Sequence, residues 1–288
     1  MEHYMSTSSG KTAIVTGASS GIGRATAEAL VRSGYTVFGT SRKIGESATQ
    51  VSMRTCDVTD DDSVSALVSS VLAQTGRIDL LVNNAGIGLI GGSEEFSIPQ
   101  VQALFDVNLF GVIRMTNAVL PSMRERGQGR IINIGSILGL IPAPYSSHYS
   151  AVKHALEGYS ESLDHEVRAF NIRVSVIEPA FVRTVFDQNG LEPAFVRTVF
   201  DQNGLEPDRL LKEYDQARAG FKALLADVMP KADLPEVVAA VVLKAASDVL
   251  PKRRYTAGKT ARQISMLRRF APAGVFDKSL RKELRLPV

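Results

Sequence analysis

At 288 residues and 44% hydrophobic content, the chain is long enough to bury one large α/β core and too apolar to be disordered. Its single cysteine, Cys56, excludes an intrachain disulfide, and no run approaches the roughly 18 continuous apolar residues of a membrane span, so a cytoplasmic protein with no integral membrane segment is expected. The net charge of +3 conceals a basic end, since residues 251–288 carry eleven Lys and Arg against Asp277 and Glu283, and this end is read as a solvated helix face or an oligomer contact rather than a nucleic-acid surface.

Residues 1–10 are polar, lack the apolar core of a signal peptide and are expected to be flexible. Residues 12–16 form a short apolar strand candidate. They run into the turn Gly17, Ser19, Ser20, Gly21, Ile22 and Gly23, then into a helical pattern through Ala25, Ala29 and Leu30 that stops at Gly34. Strand, glycine turn and helix in that order offer backbone amides and a helix N-terminus to a pyrophosphate with no side chain in the way. Residues 35–40 read as a second strand and 51–56 as a third. Val64, Leu67, Val68, Val71 and Leu72 stripe the next helix, and 78–82 make a fourth strand. Pro99, well placed in a first turn, opens a long helix to about Arg126. A strand at 130–134 follows, then the helix of Tyr149 to about Phe170 and a strand at 172–177. Helices around 210–225 and 235–249, a short strand at 254–256 and a basic amphipathic end complete the order.

Strands alternating with helices predict a Rossmann-type α/β domain over 11–288, a doubly wound parallel sheet of about seven strands with helices on both faces. Its cofactor half runs to about 135 and its catalytic and substrate half from 136. Gly17, Asp57, Asn83, Ser136 and Pro179 all fall at carboxyl ends of strands, where such sheets bind ligands.

The chemistry concentrates between Ser136 and Lys153. Tyr149 and Lys153 lie four residues apart, hence on one helix face. A nearby ammonium stabilises a phenolate, so a lowered tyrosine pKa is expected, with Tyr149 as general acid or base and Ser136 as a second hydroxyl for a ketone oxygen. His148 and His154 flank the pair, but neighbours on a helix point elsewhere. No metal site is read.

The motif Thr-Gly-Ala-Ser-Ser-Gly-Ile-Gly, the run Asn83-Asn84-Ala85-Gly86, Asn108, and Ser136 with Tyr149 and Lys153 resemble the short-chain dehydrogenase/reductase family over about residues 11–184. The resemblance implies a nicotinamide cofactor and a homodimer or homotetramer built through two long helices. It implies that Tyr149 exchanges the proton and that Lys153 lowers the tyrosine's pKa and bonds the nicotinamide ribose. Ser136 would hold the substrate oxygen, and Asn108 would keep a water in a proton relay. Asp57 and Val58 would meet the adenine, Asn83, Ala85 and Gly86 would line the cofactor channel, and Pro179, Val182 and Thr184 would lie over the nicotinamide. Ala180 stands where the family usually has glycine. For Asn83 and Asn84, tying loops together is an equal alternative.

Ser41 stands where NAD-binding relatives carry an acid, and Arg42 beside it can meet a phosphate, so NADP(H) is the expected cofactor. Leu138, Leu140, Ile141, Pro142, Pro144, Tyr145, Ile87, Leu89, Ile90, Phe181 and Phe186 flank the proposed site and suit a lipophilic carbonyl or secondary alcohol, in keeping with a likeness to the hydroxysteroid and retinol dehydrogenase branch. A 3-oxoacyl thioester reductase and a non-catalytic NADP-binding regulatory protein are the alternatives. Residues 178–191 recur unchanged at 192–205. A recent duplication, a cloning scar, or one mobile loop in two conformations written out twice would each produce this. The last is preferred, Thr184 and Thr198 then being one residue.

Overall fold

The computed structural model describes residues 10–43, 50–183 and 205–283. Seven strands form its centre: β1 (Thr12–Val15), β2 (Thr36–Ser41), β3 (Ser52–Thr55), β4 (Leu80–Asn83), β5 (Gly129–Ile134), β6 (Ile172–Pro179) and β7 (Arg254–Ala257). They lie in the order β3-β2-β1-β4-β5-β6-β7, and every pair is parallel. The chain walks outward from β1 to β3, then returns to place β4 on the other side of β1. That reversal opens a crevice at the carboxyl ends of β1 and β4. All four residues of β1 and of β4 are buried, as a sheet covered on both faces requires.

One face is covered by α1 (Gly21–Arg32) and, once the chain has crossed the sheet, by the helix Pro235–Ser247. Ala27, Leu30, Val238 and Val242 pack there on Val15, Val82 and Ile132. The other face carries α2 (Asp61–Thr75), the helical stretch α3 (Ile98–Phe105) and α4 (Gly111–Glu125), and α5 (Ser147–Val167). Val64, Leu67, Met115, Val119 and Leu163 meet Ile14, Leu81, Ile131 and Val174. Local signals set the ends of α2: the Asp60 carboxylate accepts from Ser63 N at 3.0 Å, and Gly76 closes it at φ +68°. Asp164 ties α5 to β6. It accepts from Val174 N at 3.0 Å and Arg173 Nε at 2.9 Å and pairs with Arg168. Burial would raise this carboxyl, but those partners hold it at about 2.

After β6 the helices among the described residues are α6 (Asp215–Val228), α7 (Pro235–Ser247), α8 (Lys259–Phe270) and α9 (Ala273–Glu283). The expected helix at 210–225 therefore starts later, after a short turn at Lys212–Tyr214, and the basic end forms two helices joined near Pro272. The long helix expected at 99–126 is broken by a π-helical turn, Asp106–Phe110, in which Gly111 N donates to Asp106 O. By length and composition alone the whole stretch Ile98–Glu125 could cross a membrane, although it holds no run of 18 continuous apolar residues. Here Leu104, Val112, Met115, Val119 and Met123 are buried in the fold, and Arg114 bonds Asp61 and Asp106, each at 2.7 Å. Thr184, Phe186, Thr198 and the rest of the repeat from 184 to 204 lie outside the described residues, as do residues 1–9.

Candidate active site

Gly17 and Gly21 take φ +65° and +52°, values that favour glycine, and turn the chain from β1 into α1. Gly23 is required by space: a Cβ there would sit 2.2 Å from Gly17 O and 2.4 Å from Asn84 Nδ2. Ser20 is the N-cap of α1, yet its hydroxyl does not turn back on the helix. The first-turn N–H groups of Gly21, Ile22 and Gly23 are thus left to face the crevice, with Ser19 exposed beside them. A glycine turn packed so closely on Asn84 and Ala85 that Gly23 has no room for a Cβ, leading into an uncapped helix N-terminus, fits the pyrophosphate of a dinucleotide.

The asparagine run holds this cradle from below. Asn84 Nδ2 donates to Thr16 O at 2.9 Å and to Gly17 O at 3.1 Å, while Thr16 Oγ1 accepts from Asn84 N and Ala85 N at 2.9 and 3.0 Å. Ala85 and Gly86 are half-buried along the crevice. Asn83 goes elsewhere. Its side chain is 3% exposed and donates to Asn133 Oδ1 at 2.9 Å, and Asn133 donates in turn to Ser160 Oγ at 2.9 Å. The pleat of β4 sends alternate side chains to opposite faces, so Asn83 joins a ladder between sheet and α5 rather than lining the cofactor channel. Asn108, within the π-helical turn, accepts from Ile87 N and donates to Ile87 O, both at 2.8 Å. Its amide thereby fixes the segment after β4.

Ser136 follows β5, and its Oγ accepts from Leu138 N at 3.1 Å. Across the crevice Tyr149, half-buried on the first turns of α5, shares a hydrogen bond with the Ser136 hydroxyl. Lys153 Nζ lies 5.5 Å from the centre of the tyrosine ring and donates to Ile134 O at 2.9 Å. The expected lowering of the tyrosine is absent: burial pushes the Tyr149 hydroxyl upward, and the Ser136 bond opposes this only in part. The physical reason is burial of the phenol, which outweighs the neighbouring lysine. Burial also brings Lys153 down to about 8, against the charge of Glu157.

At the adenine end, Ser41 is half-buried and Arg42 exposed. Asp57 Oδ1 accepts from Thr59 N at 2.9 Å and Thr59 Oγ1 at 2.7 Å. These bonds, then Arg42 and Arg114, hold its carboxyl below the usual range despite partial burial. Val58 is 7% exposed and faces α4, where a Cβ on Gly111 would lie 2.8 Å from its Cγ2. Pro179 at the end of β6 and Val182 beyond it are buried, and Val182 pairs with Asp233. Leu89 and Ile141 are core residues rather than free pocket walls. Ile87, Leu205 and the ring of Tyr149 pack against the cluster of Leu89, Phe96, Leu104 and Val152. His148 shares a hydrogen bond with Ser93 Oγ at 3.3 Å, and His154 Nδ1 donates to Ser150 O at 2.8 Å, so neither reaches the tyrosine hydroxyl.

Two buried acids beside the site, Glu157 and Glu178, escape the sequence reading. A signal for the first exists: Tyr149, Lys153, Glu157, Ser160 and Asp164 recur at helical spacing among the residues α5 buries or half-buries, a polar stripe where an apolar one is the rule.

The family model described as short chain dehydrogenase matches residues 11–195. A 3-ketodihydrosphingosine reductase of Bacteroides thetaiotaomicron is 45% identical over 61% of this chain and 65% of its own length. Retinol dehydrogenase 8 of Bos taurus is 38% identical over 62% of this chain. The chain thus spans 65% and 61% of the length of these two relatives. A short-chain dehydrogenase from Streptomyces avermitilis, known from its crystal structure, superposes with a TM-score of 0.76 at 34% identity, covering 96% of both chains. Glycine turn, strand order and the serine, tyrosine and lysine at the strand ends agree with these matches, and the chain belongs to the short-chain dehydrogenase family, whose members are oxidoreductases that use nicotinamide cofactors.

Proposed function

We propose that this oxidoreductase uses NADP(H) to interconvert a lipophilic ketone or aldehyde and its alcohol, with Tyr149 as general acid or base. The observation that carries the reading is the hydrogen-bonded pair of Ser136 and Tyr149 hydroxyls beside the buried Lys153, at the strand ends that also hold the glycine cradle. The bound nicotinamide supplies or accepts the hydride. In the reductive direction Ser136 donates a hydrogen bond to the substrate oxygen and Tyr149 passes it the proton, neutralising charge as it develops. Lys153, fixed by Ile134 O, holds positive charge near the phenol and bonds the nicotinamide ribose. Asn108 fixes the loop after β4 and lies on the proton relay. Gly17, Ser19, Ser20, Gly21, Ile22 and Gly23 meet the pyrophosphate, Asp57 and Val58 the adenine, Ala85 and Gly86 the channel, and Pro179 and Val182 the nicotinamide side.

Ser41 and exposed Arg42 support NADP(H) over NAD(H), because a guanidinium can pair with a 2′-phosphate and no acid at Ser41 repels it. We expect kcat/KM to favour NADPH, and Arg42→Ala to erode that preference about 10–100-fold, the worth of one charged hydrogen bond. Equal kcat/KM for the two cofactors, or an unchanged ratio in Arg42→Ala, would refute the assignment.

Half-buried Leu138, Leu140 and Phe181 support an apolar substrate, as do the names of the two relatives, which specify a long-chain keto base and retinol. A panel of steroids, retinoids, alkyl ketones and acyl-carrier-protein thioesters tests this. Activity confined to the thioesters would replace the lipophilic reading with that of a 3-oxoacyl thioester reductase. Exposed Ile98 and Phe110 on the α3–α4 surface support a homodimer or homotetramer, and the buried apolar face of that stretch supports a cytoplasmic location. We read 11–288 as one domain.

A further inference from the structure

Behind Tyr149 and Lys153 lies an acidic cluster to which the reaction above gives no role. Glu157, one turn beyond Lys153 on α5, is 3% exposed, and Glu178, just before Pro179 on β6, is 1% exposed. Both face one guanidinium. Arg254 of β7 places Nε 3.0 Å from Glu157 Oε2 and 3.7 Å from Glu178 Oε1, with Glu161 Oε1 at 3.3 Å. Glu157 Oε1 and Glu178 Oε1 have no hydrogen-bond partner among the described residues. The neighbouring segment supplies no charge: a Cβ on Gly139 would lie 2.9 Å from Glu157 Cγ, and one on Gly135 would lie 3.1 Å from its Oε1. The ionisable groups facing Glu157 are therefore Lys153 and Glu161 on α5, Glu178 on β6 and Arg254 on β7.

Two buried carboxylates that share one arginine cannot both stay ionised cheaply. With every group charged, three acids face two cations. One proton shared between the buried acids brings the five groups to neutrality. Burial lifts both acids, Glu157 lifts Glu178 further, and Arg254 opposes the rise in each. Lys153 needs this cluster. It is 7% exposed, its nearest fixed acceptor is the neutral Ile134 carbonyl, and Glu157 is the charge that favours its ammonium form.

We propose that Glu157 and Glu178 hold one proton between them and that the charge left on Glu157 keeps Lys153 an ammonium, which makes Glu157 a positioning residue for that lysine. The value of this to catalysis rests on the role given to Lys153 above, whereas the charge coupling itself does not. Glu178 acts one step removed: by taking the proton it leaves the charge on Glu157, and by losing it it competes for Arg254. Substituting the two acids should therefore move Lys153 in opposite directions, which no general loosening of the core would do.

The test is a carbon-13 NMR titration of the cofactor-free protein labelled at the lysine ε-carbons, with the Lys153 resonance assigned by its loss in Lys153→Arg. The wild-type midpoint is expected near 8. Glu157→Gln, equal in shape and uncharged, should lower it by about one pH unit, a tenfold loss of ammonium at fixed pH. Glu178→Gln, which confines the charge to Glu157, should raise it. An unmoved midpoint in Glu157→Gln, or a fall or no change in Glu178→Gln, overturns the proposal; should Glu157→Gln fail to fold, the sign in Glu178→Gln decides alone. No substrate or cofactor enters this titration, so its outcome is separate from that of the hydride-transfer reading, which turnover of Tyr149→Phe decides.

Discussion

Tyr149→Phe is expected to lower kcat for carbonyl reduction about 10²–10⁴-fold, the usual worth of a positioned general acid, while the Kd of the nicotinamide cofactor stays within about twofold. The substitution removes one oxygen. The ring remains packed with Ile87 and Leu89, and Lys153 keeps its bond to Ile134 O, so the cofactor cleft is unchanged. Stability should fall by no more than about 0.5–1.5 kcal/mol for the lost hydrogen bond to Ser136. Burial raises the tyrosine here, which suits proton donation in the reductive direction: the hydroxyl stays protonated through neutral pH until a substrate oxygen develops charge. Turnover and cofactor titration on the same preparation separate the two effects. Wild-type kcat in the variant would end the assignment of Tyr149 as the acid.

The second large effect is expected from Gly23→Ala. The new methyl would sit 2.2 Å from Gly17 O and 2.4 Å from Asn84 Nδ2, and neither neighbour can yield freely: the first is backbone in a left-handed turn and the second is bonded to Thr16 O. Relief comes only by backing α1 away from β1, an overpacking cost of about 1–3 kcal/mol. The same displacement carries the first-turn amides away from the pyrophosphate, so cofactor Kd should rise about tenfold or more, tenfold being about 1.4 kcal/mol. Gly158→Ala is the control. A Cβ on that glycine meets nothing within 4 Å, and alanine in the middle of α5 should be neutral or stabilise by up to about 1 kcal/mol. Equal melting temperatures and cofactor affinities for the two variants would show that Gly23 is not the close-approach point of the cradle.

The sheet was legible because its central strands are apolar runs, while β3 and β7 are short and mostly polar and were read from their place in the strand–helix alternation. All seven predicted strands are present, within about two residues at their ends. The π-helical turn around Asn108 is a single turn within a continuous helical stretch, too short to carry a periodic signature of its own. Asn83 shows a different limit. Its place at a strand end was readable, but which face of β4 it occupies depends on register, and a one-residue change reverses the answer. Lys153 lies beside the Tyr149 ring, as helical spacing implies, but the burial that raises the phenol comes from how α5 packs on the rest of the fold, which local spacing does not encode. Glu157, Glu178 and Arg254 meet only after β6 and β7 have been laid side by side, a contact between distant residues that local pattern does not encode.

Hydride transfer itself is tested most directly with NADPH carrying deuterium at both positions of the nicotinamide C4, supplied to the wild-type protein with a long-chain ketone and retinal, followed by mass spectrometry of the alcohol formed. The expected product carries a single deuterium on the former carbonyl carbon, appears in step with loss of the reduced cofactor, and forms about 10²–10⁴-fold more slowly with Tyr149→Phe. Alcohol formed without deuterium, or reduced cofactor left unconsumed with every carbonyl supplied, would contradict a reductase built on Ser136, Tyr149 and Lys153.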